Sequence, residues 1–119
     1  MKSVLFLQYP KCGTCRNASK WLKMNDVSVV DRDITLDNPT ESELTKWIDL
    51  SGLPIAKFFN TSGKIYKEQN LKEVVKTASK DELIKLLATN GMLVKRPLVV
   101  GDDFVLVGFN ENEWSEKLK

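Results

Sequence analysis

The chain has 119 residues, of which 42% are hydrophobic and 29% are charged, and these values are typical of one globular domain. Its 18 basic and 16 acidic residues leave a net charge of +2 without a basic stripe, which argues against direct binding of nucleic acid. The first apolar stretch, residues 4–7, is shorter than the ~7–15 residues of an export signal and the ~20 of a membrane helix. We therefore expect one monomeric, cytoplasmic domain over residues 1–119 that makes no membrane contact.

The first third of the chain has the pattern of a β-α-β unit. Residues 3–8 are a nearly continuous apolar run, which predicts a strand covered on both faces. From Gly13 onward, apolar residues recur at spacings of three and four, as in an amphipathic helix. Residues 27–34 then read as a second strand, so the junction between strand and helix falls at residues 9–12.

Residues 38–93 have the pattern of a helical insert. Thr40 and Glu43 have the spacing of a capping box at the start of a helix, and Gly52 is suited to end that helix. A short helix follows over residues 54–59, and then a loop over residues 60–63. A second capping box at Ser79 predicts a helix that ends near Asn90.

The last part of the chain predicts a β-hairpin followed by a helix. Residues 96–100 and 104–108 are β-favouring runs on either side of a short Gly-Asp-Asp turn. Asn110 is positioned to cap a final helix in which Trp114 and Leu118 face the core. The element order is therefore β-α-β, helical insert, β-β-α, which indicates an α/β fold.

The chain contains two cysteines, Cys12 and Cys15, and no histidine, which excludes a Cys–His pair and a histidine-based zinc site. Cys12 lies at the start of the first predicted helix, where free N–H groups and the helix dipole favour a thiolate. Such positions lower a cysteine pKa from about 8.5 towards ~3.5–7.5, and Lys11 and Arg16 add positive charge nearby. Cys15 lies one turn later on the apolar face. We therefore predict a thiol–disulfide site with Cys12 as nucleophile and Cys15 as resolving cysteine.

Two other interpretations of the cysteine pair stay open at this point. A Cys-x-x-Cys motif is also half of a zinc site, although the chain has no further cysteine for the other half. The two cysteines could also be incidental core residues, but a position at a strand-to-helix turn argues against that.

Arg96-Pro97 has two interpretations as well. A cis bond would direct Arg96 towards the active site, and a trans bond would leave an ordinary surface arginine.

The ordered combination of four segments resembles the ArsC/Spx family of small bacterial thioredoxin-like proteins. These segments are residues 9–18 around the cysteines, the loop 60–63, residues 95–98 and residues 107–111. The similarity spans nearly the whole chain. It implies a thioredoxin-like fold with a helical insertion, a cis bond at Pro97 and an active-site role for Arg96.

The resembled family contains glutaredoxin-linked arsenate reductases. By this resemblance, Cys12 matches their nucleophile and Arg96 matches one of their oxyanion-binding arginines. Thr61 and Gly108 stand at the approximate places of two further arginines. The loss of two cations should weaken arsenate binding by several kcal/mol, at ~1.5–3 kcal/mol for each charged hydrogen bond. Cys15 provides an internal resolving thiol, which those reductases lack.

The family also contains Spx regulators, in which the disulfide acts as a switch and the protein binds the RNA polymerase α subunit. Gly52 falls near the region of that contact, and we interpret it as a helix C-cap. Three hypotheses follow: an oxidoreductase acting on small thiols or protein disulfides, an arsenate reductase, and a redox-switched regulator. We expect no bound cofactor, and an external thiol such as glutathione, glutaredoxin or thioredoxin as reductant. Pro97, Lys11, Arg16 and Thr61 are predicted to position the substrate.

Overall fold

The structure, a computed structural model, describes residues 3–119 and contains one four-stranded mixed sheet within them. The strands are β1 Val4–Gln8, β2 Val29–Asp33, β3 Leu98–Val100 and β4 Val105–Val107, in the spatial order β2-β1-β3-β4. β1 pairs in parallel with β2 and antiparallel with β3, and β3 pairs antiparallel with β4. The predicted thioredoxin-like α/β fold is therefore confirmed.

Six α-helices surround this sheet within the described chain. They are α1 Gly13–Met24, α2 Glu41–Ser51, α3 Lys64–Glu68, α4 Leu71–Thr77, α5 Lys80–Thr89 and α6 Glu111–Leu118. Short 3-10 helices cover Ile55–Phe58 and Gly91–Leu93. No helix in the described range has both the length and the apolar character needed to cross a lipid bilayer.

Both faces of the sheet are covered, as the continuous apolar run of β1 predicts. Phe6 packs on one face in a cluster with Ala18 and Leu22 of α1 and Trp114 of α6. Leu7 points to the other face, into a larger cluster formed with helices of the segment between β2 and β3. Alternate residues of β1 thus join two cores and fix the position of the strand's carboxyl end.

The predicted helix signals have clear structural counterparts. Thr40 Oγ1 accepts a hydrogen bond from the Glu43 N–H, and the Glu43 carboxylate accepts one from the Thr40 N–H, each at 3.1 Å. Gly52 ends α2 with a φ of +68°, in the left-handed region that favours glycine. Ser79 Oγ accepts a bond from the Glu82 N–H at the start of α5, but the Glu82 carboxylate accepts a bond from the Ser79 hydroxyl and not from its N–H, so only half of the predicted second capping box forms. These caps confirm the predicted starts of α2 and α5.

Three features differ from the predictions. β3 and β4 are shorter than the predicted runs 96–100 and 104–108. β2 is shorter than residues 27–34, because the Val27 N–H donates to the Leu22 carbonyl and still belongs to the turn after α1. The short helices α3 and α4 were not predicted. They have only five and seven residues, and Asn70 separates them with a φ of +52°. Neither is therefore long enough for the helical spacing of its apolar residues to be recognised in the sequence.

Candidate active site

The fold brings residues 9–12 and residues 95–97 to the same edge of the sheet. Leu7 of β1 lies opposite Leu98 of β3, so the end of one strand is next to the start of the other. Cys12 occupies the N-cap of α1, and its N–H donates to the Tyr9 carbonyl at 2.9 Å. The predicted location of Cys12 at the start of a helix is therefore correct.

Cys15 lies one turn into α1, and its side chain is 1% exposed. Its Sγ accepts a hydrogen bond from the Tyr9 N–H at 3.5 Å, and both cysteines are free thiols. Burial, reinforced by contact with Cys12, raises the pKa of the Cys15 thiol to about 12. Cys15 is therefore protonated at neutral pH in the reduced protein.

Cys12 is only half-buried, and its thiol ionises more easily than an ordinary cysteine. Burial is the largest single influence on it and by itself raises the pKa. The N–H and thiol of Cys15, the charge of Arg96 and the Thr14 N–H act in the opposite direction, and together they lower the pKa of Cys12. The Cys12 sulfur accepts no capping hydrogen bond within the described chain, so the N–H groups act on it as nearby dipoles.

Arg96 supplies the nearby positive charge. The Arg96–Pro97 peptide bond is cis, as the family resemblance implies. The guanidinium carbon lies 5.1 Å from the centroid of the Tyr9 ring, and Nη1 donates to the Met92 carbonyl at 3.4 Å. Arg96 Nε is buried and has no hydrogen-bond partner within residues 3–119. A buried donor of this kind is suited to an anion or a thiolate brought to the site.

A pocket of about 540 Å³ lies in front of Cys12. Its walls come from four parts of the chain: the start of α1, residues 60–65, residues 92–96 and residues 107–113. Four charged side chains line it, namely Lys64, Lys95, Arg96 and Glu113. Lys64 and Lys95 were not predicted as site residues, although each is close in sequence to a segment that was.

The other predicted site residues have different positions. Lys11 and Arg16 are exposed and do not line the pocket, and the arginine that lowers the pKa of Cys12 is Arg96. Thr61 is also exposed and outside the lining, whereas its neighbours Asn60 and Ser62 belong to it. Pro97 is buried and does not line the pocket.

Gly108 lines the pocket and has a φ of +77°, in the left-handed region. A Cβ atom at this position would lie 3.5 Å from Lys95 Cε. The space beside Gly108 is thus occupied by the stem of a lysine.

In the part of the chain that the structure describes, no group of three or more cysteine and acidic side chains could hold a metal ion.

Comparison with known proteins places this chain in a family. Residues 7–117 match the ArsC family. The chain is 46% identical over 114 residues to a Bacillus subtilis protein named YusI, covering 96% of this chain and 97% of that protein. It is 31% identical to the global transcriptional regulator Spx of Streptococcus pneumoniae, covering 92% of this chain and 80% of the regulator.

Solved structures agree with this assignment. An ArsC family related protein from Bacteroides fragilis is 58% identical with a TM-score of 0.96, covering 99% of this chain and 98% of that chain. The arsenate reductase from Vibrio cholerae is 25% identical with a TM-score of 0.86, covering 98% of both chains. Because the family match extends over nearly all of its length, the chain belongs to the ArsC family.

Proposed function

We propose that the protein is a thiol–disulfide oxidoreductase in which Cys12 is the nucleophile and Cys15 the resolving cysteine. One observation carries the proposal: the pKa values of two cysteines one helical turn apart are shifted in opposite directions. Cys12 lines the pocket and has a lowered pKa, whereas Cys15 is buried and has a pKa raised to about 12. A dithiol site needs this difference, because only one thiol should attack the incoming substrate.

The reaction takes place in two exchange steps. The Cys12 thiolate attacks one sulfur of a substrate disulfide, the substrate S–S bond breaks, and the other sulfur leaves as a thiolate. Cys15 then loses its proton and attacks the Cys12 sulfur, which releases the second substrate thiolate and forms the Cys12–Cys15 disulfide. The substrate gains two electrons, and an external thiol reductant returns them to the protein.

The buried resolving thiol becomes more reactive during this cycle. The hydrogen bond and the charge of Cys12 both raise the pKa of Cys15 in the reduced protein, in addition to the larger effect of burial. Both Cys12 contributions end once Cys12 is bonded to substrate, so the pKa of Cys15 falls when it has to attack. Arg96 stabilises the Cys12 thiolate in the first step. It stabilises the same thiolate again when Cys12 is the leaving group during reduction of the protein.

A single-turnover experiment tests the proposal. Reduced protein is mixed with bis(2-hydroxyethyl) disulfide, quenched with acid and analysed by mass spectrometry. The wild type should form the internal disulfide, Cys15→Ser should stop at a mixed disulfide on Cys12, and Cys12→Ser should not react. A mixed disulfide on Cys15 in the Cys12→Ser variant, at the wild-type rate, contradicts the assigned roles.

Arsenate reduction is the second candidate, and the unpartnered Nε of Arg96 favours it because this buried donor could bind an oxyanion. Cys12 would be the nucleophile here too. The test is arsenate-dependent oxidation of an external thiol, compared with the Cys12→Ser variant. Equal rates in both proteins exclude this activity.

A redox-switched regulator is the third candidate, and it is favoured by the similarity to Spx. It would use the same Cys12–Cys15 disulfide, with the RNA polymerase α subunit as partner. Binding of purified α subunit to the oxidised and the reduced protein tests this candidate. A difference in affinity between the two forms supports a switch, and absence of binding in both excludes it.

A further inference from the structure

The pocket in front of Cys12 carries an excess of positive charge. Lys64, Lys95 and Arg96 line it, and Glu113 is the acidic side chain among the lining residues. Arg96 acts on the Cys12 sulfur. The other two cations are not required by the exchange chemistry, so their presence in the pocket needs a separate explanation.

Lys95 is the better placed of the two lysines. Its stem lies beside Gly108, with Lys95 Cε 3.5 Å from where a Cβ of residue 108 would stand. Its ammonium group has no hydrogen bond or ion pair within residues 3–119. Lys95 is half-buried, and it therefore lines the pocket with a charge that is not taken up by an ion pair within the described chain.

Lys64 lines the same pocket from a different segment, directly after the loop 60–63. Its ion pair with Glu68 is long, at 3.7 Å, and both side chains are largely exposed. Such pairs contribute little and break easily. Lys64 is therefore free to turn towards an anion in the pocket.

The volume of the pocket indicates the size of the ligand. At about 540 Å³ it lies within the ~300–1,000 Å³ of sites that enclose a small organic molecule. Two reacting sulfur atoms fill only a small part of that space. The rest can hold the groups attached to the sulfurs, in the pocket that the two lysines also line.

We infer that the substrate is a small disulfide with carboxylate groups, and that Lys95, assisted by Lys64, binds a carboxylate while Cys12 attacks the sulfur. This inference depends on the proposed oxidoreductase function, and it specifies the substrate class of the same site. Electrons and atoms balance as in the exchange above: the disulfide is reduced to two carboxylate-bearing thiols, and Cys12 and Cys15 are oxidised to a disulfide.

Three disulfides of similar size and different charge test the inference. They are dithiodipropionate, which is anionic, bis(2-hydroxyethyl) disulfide, which is neutral, and cystamine, which is cationic. The rate constant of each with the reduced protein is measured at low and high salt. The anionic compound should react about tenfold or more faster than the cationic one at low salt, and the difference should shrink as salt screens the charges.

Lysine variants connect this preference to the pocket. The ratio of the anionic to the neutral rate should fall in Lys95→Gln and less strongly in Lys64→Gln. Lys95→Arg, which keeps the charge, should retain the wild-type ratio. Lys57→Gln is the matched control, because Lys57 is exposed and does not line the pocket. The ratio cancels changes in the thiolate fraction of Cys12, because both compounds react with the same thiolate.

The outcomes separate the two proposals. If the neutral disulfide reacts but charge has no effect, or if the ratio is the same in Lys95→Gln and the wild type, the inferred substrate class is wrong and the oxidoreductase function stands. If none of the three disulfides reacts with Cys12, the oxidoreductase function is wrong, and this inference fails with it.

Discussion

Tyr9 contacts both Arg96 and Cys15. The guanidinium carbon of Arg96 lies 5.1 Å from the centroid of the Tyr9 ring, and the Tyr9 N–H donates to Cys15 Sγ. Tyr9 directly follows β1, and only Pro97 separates Arg96 from the start of β3, so one aromatic residue joins the two strand ends that form the site. The position of the arginine relative to the cysteines is thus set by the sheet itself.

Replacement of Tyr9 should therefore destabilise the protein. Tyr9→Leu removes the cation–π contact and part of the packing, and we expect the free energy of unfolding to fall by about 1–2 kcal/mol. Tyr9→Phe keeps the ring and serves as the control, with a change of about 0.5 kcal/mol or less. Urea unfolding of the reduced proteins measures both. Equal losses in the two variants would show that the hydroxyl group, rather than the ring, is important.

Arg96 should control the reactivity of Cys12. Arg96→Met removes the charge that favours the thiolate, so the pKa of Cys12 should rise. The rate with a neutral disulfide at pH 7 should drop by about threefold to tenfold, because the loss of one nearby charge costs the thiolate up to ~1.4 kcal/mol. Arg96→Lys should retain part of the rate. Arg16→Met is the matched comparison, and an effect as large as that of Arg96→Met would mean that the helix arginine supplies the relevant charge.

Cys15 should make the reduced protein less stable at alkaline pH. Because its folded-state pKa is raised to about 12, its contribution to stability is complete below the pKa of an unfolded cysteine, about 8.5, and is lost as pH rises from there towards 12. In this window the wild type should lose about 1.4 kcal/mol per pH unit more than Cys15→Ala. Parallel stability curves of the two proteins between pH 9 and pH 10.5 would argue against a protonated buried thiol.

A structural ion pair outside the site should respond at acid pH. The Arg32 guanidinium binds both Glu43 carboxylate oxygens, at 2.7 and 2.8 Å, and lowers the pKa of Glu43 to about 2. Glu43→Gln should cost about 1–2 kcal/mol at pH 7, a modest value because Glu43 is one-third exposed. Since the pKa is lowered on folding, this stabilisation is present above about pH 4.3 and disappears towards pH 2. A constant difference between the proteins across that range would exclude the ion pair as its cause.

The sequence was sufficient to predict the elements with strong local signals. The capping pattern at Thr40 and the glycine at position 52 define α2, and the apolar run of β1 predicts a strand covered on both faces. Cys12 was correctly placed at the N-cap of α1, and the burial of Cys15 follows from its place on the apolar face. These features depend on residues within one or two turns of each other.

The composition of the pocket could not be predicted in the same way. Lys64 and Lys95 come from distant segments that meet only when the chain folds, and no local pattern distinguishes them from surface lysines. Sequence proximity also favoured Lys11 and Arg16 as charges near Cys12. The side chain that acts on the thiolate is Arg96, which is 84 positions away and is brought close by the pairing of β1 with β3.

The most direct test of the central claim is the pH dependence of alkylation of the reduced protein by iodoacetamide, with the modified cysteine identified by mass spectrometry. We predict that Cys12 alone is modified at neutral pH, and that its rate reaches half of its maximum below pH 8.5, the ordinary value for a cysteine thiol. Half-maximal reactivity of Cys12 at or above pH 8.5, or modification of Cys15 at a comparable rate, would contradict the assignment of Cys12 as nucleophile and Cys15 as resolving cysteine.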